Sequence, residues 1–188
     1  MVGKYKLNNI YNEDSYIAIK NIPDKSVDCI YTDIPYLIGD GGVEKSELSK
    51  RIMKINYEDI LSIRNGIDYS IYKEFKRVLK KINLFIWCSK NQIIDTLNFF
   101  ADENVNFEIL TWNKTNPIPA TNNVWLPDIE YCLYFREKGV KLNDGYELKS
   151  KWYTSPINKN DKDEFNHPTI KPLDHVCACK INCFPGFQ

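Results

Sequence analysis

Asp33-Ile34-Pro35-Tyr36 is the stretch of this sequence whose residue types and spacing could do chemistry. It closes an apolar run, Val27 to Asp33, that reads as a strand, which puts the carboxylate at the mouth of a sheet. Pro35 fixes its own φ and restricts Ile34 to extended backbone, so the Ile34 carbonyl is aimed in a defined direction. Tyr36 sets a flat ring beside both oxygen acceptors. An exocyclic amino group offers two N–H donors and needs two acceptors, and a base lifted out of a duplex needs a ring to stack on. Taken alone, the same four residues also fit a strand-ending turn capped by Asp33.

Other candidate groups carry less. Gly39-Asp40-Gly41-Gly42 lacks the Lys-Ser/Thr that follows a phosphate loop and does not open a helix directly from a strand, so it reads as a flexible loop edging the pocket. Cys29, Cys88 and Cys132 sit in apolar runs and read as small buried hydrophobes. Cys177, Cys179 and Cys183 crowd the tail beside His175. Zinc takes such ligands, but the spacing matches no paired Cys-x-x-Cys pattern, so free thiols and no metal are expected. Lys114, Trp125, Lys50 and Arg51 are the candidate DNA contacts, cations for phosphate and a ring for bases, with a solvated face as the alternative for each.

These groups must be positioned by a scaffold. The chain has 188 residues, enough for one domain with a core, with 43% hydrophobic and 27% charged residues. Lys and Arg number 25, as do Asp and Glu, so the formal net charge is zero and any nucleic-acid-binding face must concentrate its cations locally. No run of about 18 apolar residues is present and the start is polar, so a cytoplasmic protein with no membrane partner is expected. Four runs read as strands: Val27 to Asp33, Leu84 to Ser89, Phe107 to Trp112 and Ile129 to Phe135. Being nearly continuous in apolar residues, they suit strands covered on both faces. Apolar residues from Ile67 to Ile82 recur at helical spacing, Ile93 to Ala101 repeat the pattern behind Ser89 as N-cap, and a short helix is expected over Ser15 to Lys20. Strands alternating with helices predict an α/β fold, a largely parallel sheet flanked by helices, with Asp33 ending a central strand. Leu37 to Asn56 and Asn113 to Pro127 interrupt this rhythm, and long polar connections of this kind carry function or mobility.

The segment Ser26 to Tyr36 resembles the catalytic segment of the amino-methylating DNA methyltransferases, whose tetrapeptide is Asp-Pro-Pro-Tyr. Further blocks follow in the order of that family's β group. Phe75, Arg77, Val78 and Leu79 resemble the helix before the next strand, and Trp112-Asn113-Lys114, Asn116-Pro117 and Glu130-Tyr131 resemble a later block. His167-Pro168-Thr169-Ile170-Lys171-Pro172 is similar to the family's His-Pro-Thr-x-Lys-Pro segment, and the likeness runs from about Leu7 to Leu173. Two departures stand out. Ile34 replaces the first proline, which keeps the carbonyl but loosens the loop. The family's Asp-Pro-Phe-x-Gly-Ser-Gly cofactor loop does not follow Lys171 before Gln188, so a partial methylase domain over 1–188 is expected.

The resemblance implies a Rossmann-like fold and methyl transfer from S-adenosylmethionine to an exocyclic amino group, adenine N6 in preference to cytosine N4 because the first position is Asp. Asp33 and the Ile34 carbonyl would hold the amino hydrogens, Pro35 would fix the turn and Tyr36 would stack on the flipped base. Thr169 and Lys171, with His167 and Pro172, would border the cofactor. Double-stranded DNA is the implied partner, met by a polar insertion around 113–127, and a second chain could supply the missing loop. The rival readings are an inactive remnant and a DNA-binding module without catalysis.

Overall fold

The computed structural model describes residues 1–37, 66–119, 123–142, 149–157 and 171. Asp14 caps a short helix α1 (Ser15–Ala18) by accepting from the Tyr16 and Ile17 amides, and a 3-10 turn (Ile19–Asn21) extends it. Strand β1 (Ile30–Asp33), helix α2 (Ser70–Val78), strand β2 (Asn83–Cys88), helix α3 (Ile93–Phe100) and strands β3 (Val105–Lys114), β4 (Ile129–Glu137) and β5 (Trp152–Ser155) follow. The strands form one sheet in the order β1-β2-β4-β3-β5.

Pairing in this sheet is mixed. β1 runs parallel to β2 and β3 parallel to β5, while β4 is antiparallel to both β2 and β3. The parallel pair β1–β2 is joined through α2, the crossover that parallel strands require. β3 and β4 are instead successive strands of a hairpin, which makes them antiparallel. Among the described residues β1 is an edge strand, not a central one, but Asp33 does end it, opposite Trp87 of β2.

Alternation along β2 builds two cores. Leu84, Ile86 and Cys88 pack on one face with Ile71, Tyr72, Phe75 and Val78 of α2 and with Phe100, while Phe85 and Trp87 pack on the other with Trp112, Cys132 and Tyr134. All six residues of β2 are buried, as a continuous apolar run requires, and Phe85 stacks on Tyr134 at 4.1 Å. β3 departs from that expectation, since Phe107 and Ile109 lie exposed.

Helix α2 is shorter than the apolar period suggests. The chain leaves the helix at Leu79, which is extended, because the backbone there turns to pair with Val27: the Lys80 amide donates to the Val27 carbonyl at 2.9 Å. Leu79 and Ile82 are still buried, so their spacing reports the core and not the helix. Among the described residues no helix is long and apolar enough to cross a membrane.

Candidate active site

The end of β1 is fixed from both sides. Ile34 donates its amide to the Trp87 carbonyl at 3.2 Å and buries its side chain among the α2-side core residues. The rigidity that a proline would give this loop therefore comes from packing. Gln92, fully buried, holds the next residues: its amide nitrogen donates to the Pro35 carbonyl at 2.9 Å and its oxygen accepts from the Leu37 amide at 3.2 Å. Ser89 caps a 3-10 turn (Lys90–Gln92) that leads into α3, not α3 itself, whose N-cap is Gln92, and Gln92 completes the capping box with Ser89.

Three elements then converge on Asp33 and Tyr36. Lys171, far along the chain, places its ammonium 2.8 Å from Asp33 Oδ2, 3.0 Å from Glu130 Oε2 and 3.1 Å from the Tyr36 hydroxyl. The Tyr36 hydroxyl in turn donates to Glu130 Oε2 at 3.2 Å. Lys114, from the end of β3, pairs with the other Glu130 oxygen at 2.8 Å. The Lys171 ammonium also lies over the Tyr36 and Trp87 rings, 5.2 and 5.0 Å from their centroids. The group holds two carboxylates and two ammonium ions, so its formal charge cancels. Lys171 is only 10% exposed and Glu130 17%, whereas the Asp33 side chain keeps 45% of its surface open. Asp33 is thus the carboxylate that an incoming molecule meets.

Burial raises the Asp33 pKa, and Lys171 opposes this through its charge and hydrogen bond without cancelling it. Burial also pushes Glu130 upward, but Lys171 and Lys114 overcome it and hold that carboxyl below its ordinary value. Burial pulls Lys171 downward, and the two carboxylates outweigh it, so it remains a cation. The Tyr36 phenol is pushed far up by burial and then by Asp33 and Glu130, which keeps its proton on. Burial, aided by Asp33, pushes the Cys88 thiol up to about 12.

Of the residues named from sequence, Asp33, Ile34, Pro35, Tyr36 and Lys171 come together here. His167, Thr169 and Pro172 lie outside the described residues, as do Lys50, Arg51, the Gly39–Gly42 loop and the cluster of Cys177, Cys179 and Cys183. Lys114 points to Glu130 at 15% exposure and not to an open surface. Trp125 stands 98% exposed on the β3–β4 connection. Cys88 and Cys132 are buried and Cys29 is partly so. Among the described residues no cluster suited to a metal ion is present. Sequence reasoning missed Gln92 and the part played by Glu130, which was visible only as half of a Glu-Tyr pair.

The fold is the Rossmann-like one of the methyltransferases, and the sequence is similar to that of Type II DNA methyltransferases. Its Asp-x-Pro-Tyr turn and His-Pro-Thr-x-Lys-Pro lysine meet as one site. The chain is 28% identical over 183 residues to the Type II methyltransferase M2.LlaDCHI of Lactococcus lactis subsp. cremoris, covering 87% of this chain and 67% of that one. It is 26% identical to the Type II methyltransferase M2.DpnII of Streptococcus pneumoniae, again over 87% of this chain and 68% of the relative. It is 28% identical to the Type II methyltransferase M2.MboI of Moraxella bovis, over 88% of this chain and 67% of the relative. The crystal structure of the M1.HpyAVI–SAM complex superimposes with a TM-score of 0.56 at 20% identity, covering 92% of this chain and 75% of that one, which establishes the shared fold. No family model matches.

Proposed function

We propose that the protein transfers a methyl group from S-adenosylmethionine to the exocyclic amino group of a DNA base, adenine N6. The observation that carries this reading is the meeting of Lys171 with Asp33 at 2.8 Å across 138 positions of sequence, which brings together residues of two motifs that resemble the same enzyme family. S-adenosylmethionine, when bound, supplies the electrophilic methyl carbon, and Lys171 is the described residue that would border it. Asp33 Oδ1 and the Ile34 carbonyl accept the two amino hydrogens and turn the nitrogen lone pair toward the methyl carbon. Transfer would form the nitrogen–carbon bond as the carbon–sulfur bond broke, with Asp33 or water placed to take the N–H proton released. Among the described residues none donates a hydrogen bond to the Ile34 carbonyl. Tyr36 stacks on the extruded base, and Trp125 meets DNA from the connection around 113–127.

The test is transfer of a labelled methyl group to unmethylated genomic DNA, followed by digestion and nucleoside analysis. N6-methyladenine is the expected product. N4-methylcytosine would refute the adenine assignment, and no transfer at all would refute the reaction. Asp33→Ala should lower the rate by on the order of a hundredfold or more, as losing a preorganised partner of the reacting group does. Tyr36→Ala should weaken the extruded-base complex by about 1–3 kcal/mol, the worth of one stacked base.

A further inference from the structure

We infer that Glu130 is a positioning residue of the base pocket, acting through Lys171 and Tyr36. This rests on the methyl-transfer reading above. An ammonium has three N–H donors, and those of Lys171 face three acceptors: Asp33 Oδ2, Glu130 Oε2 and the Tyr36 hydroxyl. Glu130 accepts a second hydrogen bond on the same oxygen, from the Tyr36 hydroxyl itself. The ring that stacks on the base and the cation beside Asp33 are therefore held by one carboxylate. Glu130 is fixed in turn by Lys114 and by its place on β4, where it pairs with Trp112 of β3.

The arrangement divides the labour between two carboxylates. Glu130 draws part of the Lys171 charge away from Asp33, and the Lys171 ammonium meets Asp33 at Oδ2, the other oxygen being the one assigned to the base. Without the Glu130 charge, Asp33 would be the one carboxylate left to Lys171 in this group, and the ammonium would compete there with the amino donors. Tyr36 would also lose the acceptor that sets its ring. Glu130 further raises the Asp33 pKa by its own negative charge, so removing that charge lowers it.

The experiment compares wild type, Glu130→Gln and Glu130→Asp in methyl transfer to unmethylated genomic DNA across pH, with S-adenosylmethionine affinity measured by calorimetry. Glu130→Gln should raise KM for DNA by on the order of tenfold, the cost of a lost charged hydrogen bond. Its acid limb in kcat/KM should move to lower pH, and its S-adenosylmethionine affinity should change less than its KM for DNA. Glu130→Asp keeps the charge but withdraws it by one methylene. It should keep the wild-type acid limb and still raise KM for DNA. An unchanged KM and unchanged acid limb in Glu130→Gln would overturn the assignment. So would a uniform loss of DNA and cofactor binding with a lowered melting temperature, which is what a purely structural role gives. If Glu130→Gln does not accumulate as folded protein, a wild-type KM in Glu130→Asp overturns it equally. Wild type that transfers no methyl group refutes the methyl-transfer reading itself, whereas active wild type with indifferent variants refutes only the role of Glu130.

Discussion

Replacing Gln92 by leucine should loosen the Asp33–Leu37 turn while leaving both cores intact. The side chain makes up to four hydrogen bonds: to the Pro35 carbonyl at 2.9 Å, and from the Ser89 amide at 3.0 Å, the Leu37 amide at 3.2 Å and the Ser89 hydroxyl at 2.9 Å, whose single proton also faces the Leu37 carbonyl at 3.1 Å. At a net worth of about 1 kcal/mol each, they set a ceiling of about 4 kcal/mol. Pro35 and Leu37 are exposed enough for water to replace their lost partner, and leucine is of similar volume. The expected loss is therefore about 2–3 kcal/mol, most of it at the Ser89 turn. For a chain of this size that corresponds to a fall in melting temperature of about 5–10 °C. Urea unfolding followed by tryptophan fluorescence measures it directly. Methyl transfer should fall further than stability alone explains, because a shift of about 1 Å in a reacting group costs on the order of a hundredfold in rate. A stability change under about 0.5 kcal/mol, within the range of an ordinary surface substitution, together with a wild-type rate would show that the turn does not depend on Gln92.

Two further outcomes follow from the charges at the site. Lys171→Met removes the group that lowers the Asp33 pKa, so the acid limb of kcat/KM should move to higher pH, opposite in sign to Glu130→Gln; a limb that stays in place would mean that Asp33 is not the group titrating. Cys88 should resist carboxamidomethylation at pH 8 in the folded protein, because its thiol pKa lies at about 12 and the side chain is buried. Peptide mapping by mass spectrometry that finds Cys88 alkylated as quickly as in urea would contradict the buried placement of β2.

What could be read in the sequence was local. The apolar run of β2, the Ser89 cap and the strand-ending Asp33 are signals within a few residues of one another, and all three are in place. Helix α2 was overextended because Leu79 and Ile82 keep helical spacing while lying in extended chain. Strand β5 was missed because Trp152–Ser155 is four residues long and half polar, and its partner in β3 lies 41 positions away. The edge position of β1 and the exposure of Phe107 and Ile109 depend on which strands pair, which no single run encodes. Gln92 reads as an ordinary polar residue in a first turn. Only the path of the Pro35 backbone beside it makes it central.

The position of Lys171 bears on how the two halves of the reaction communicate. The resemblance puts this lysine beside the cofactor, while the structure commits its ammonium to Asp33, Glu130 and Tyr36. With all three N–H donors engaged, a cofactor oxygen could gain a hydrogen bond from Lys171 only if one of these acceptors let go. Releasing Asp33 would free both of its oxygens for the base. Releasing Tyr36 or Glu130 would unlock the ring that stacks on it. On the proposed reading, either exchange would make occupancy by the cofactor felt in the base pocket, and reciprocity would require the base to alter cofactor affinity by the same factor. Glu130 keeps Lys114 as an ion partner when Lys171 turns away from it, so the exchange that releases Glu130 leaves that carboxylate paired.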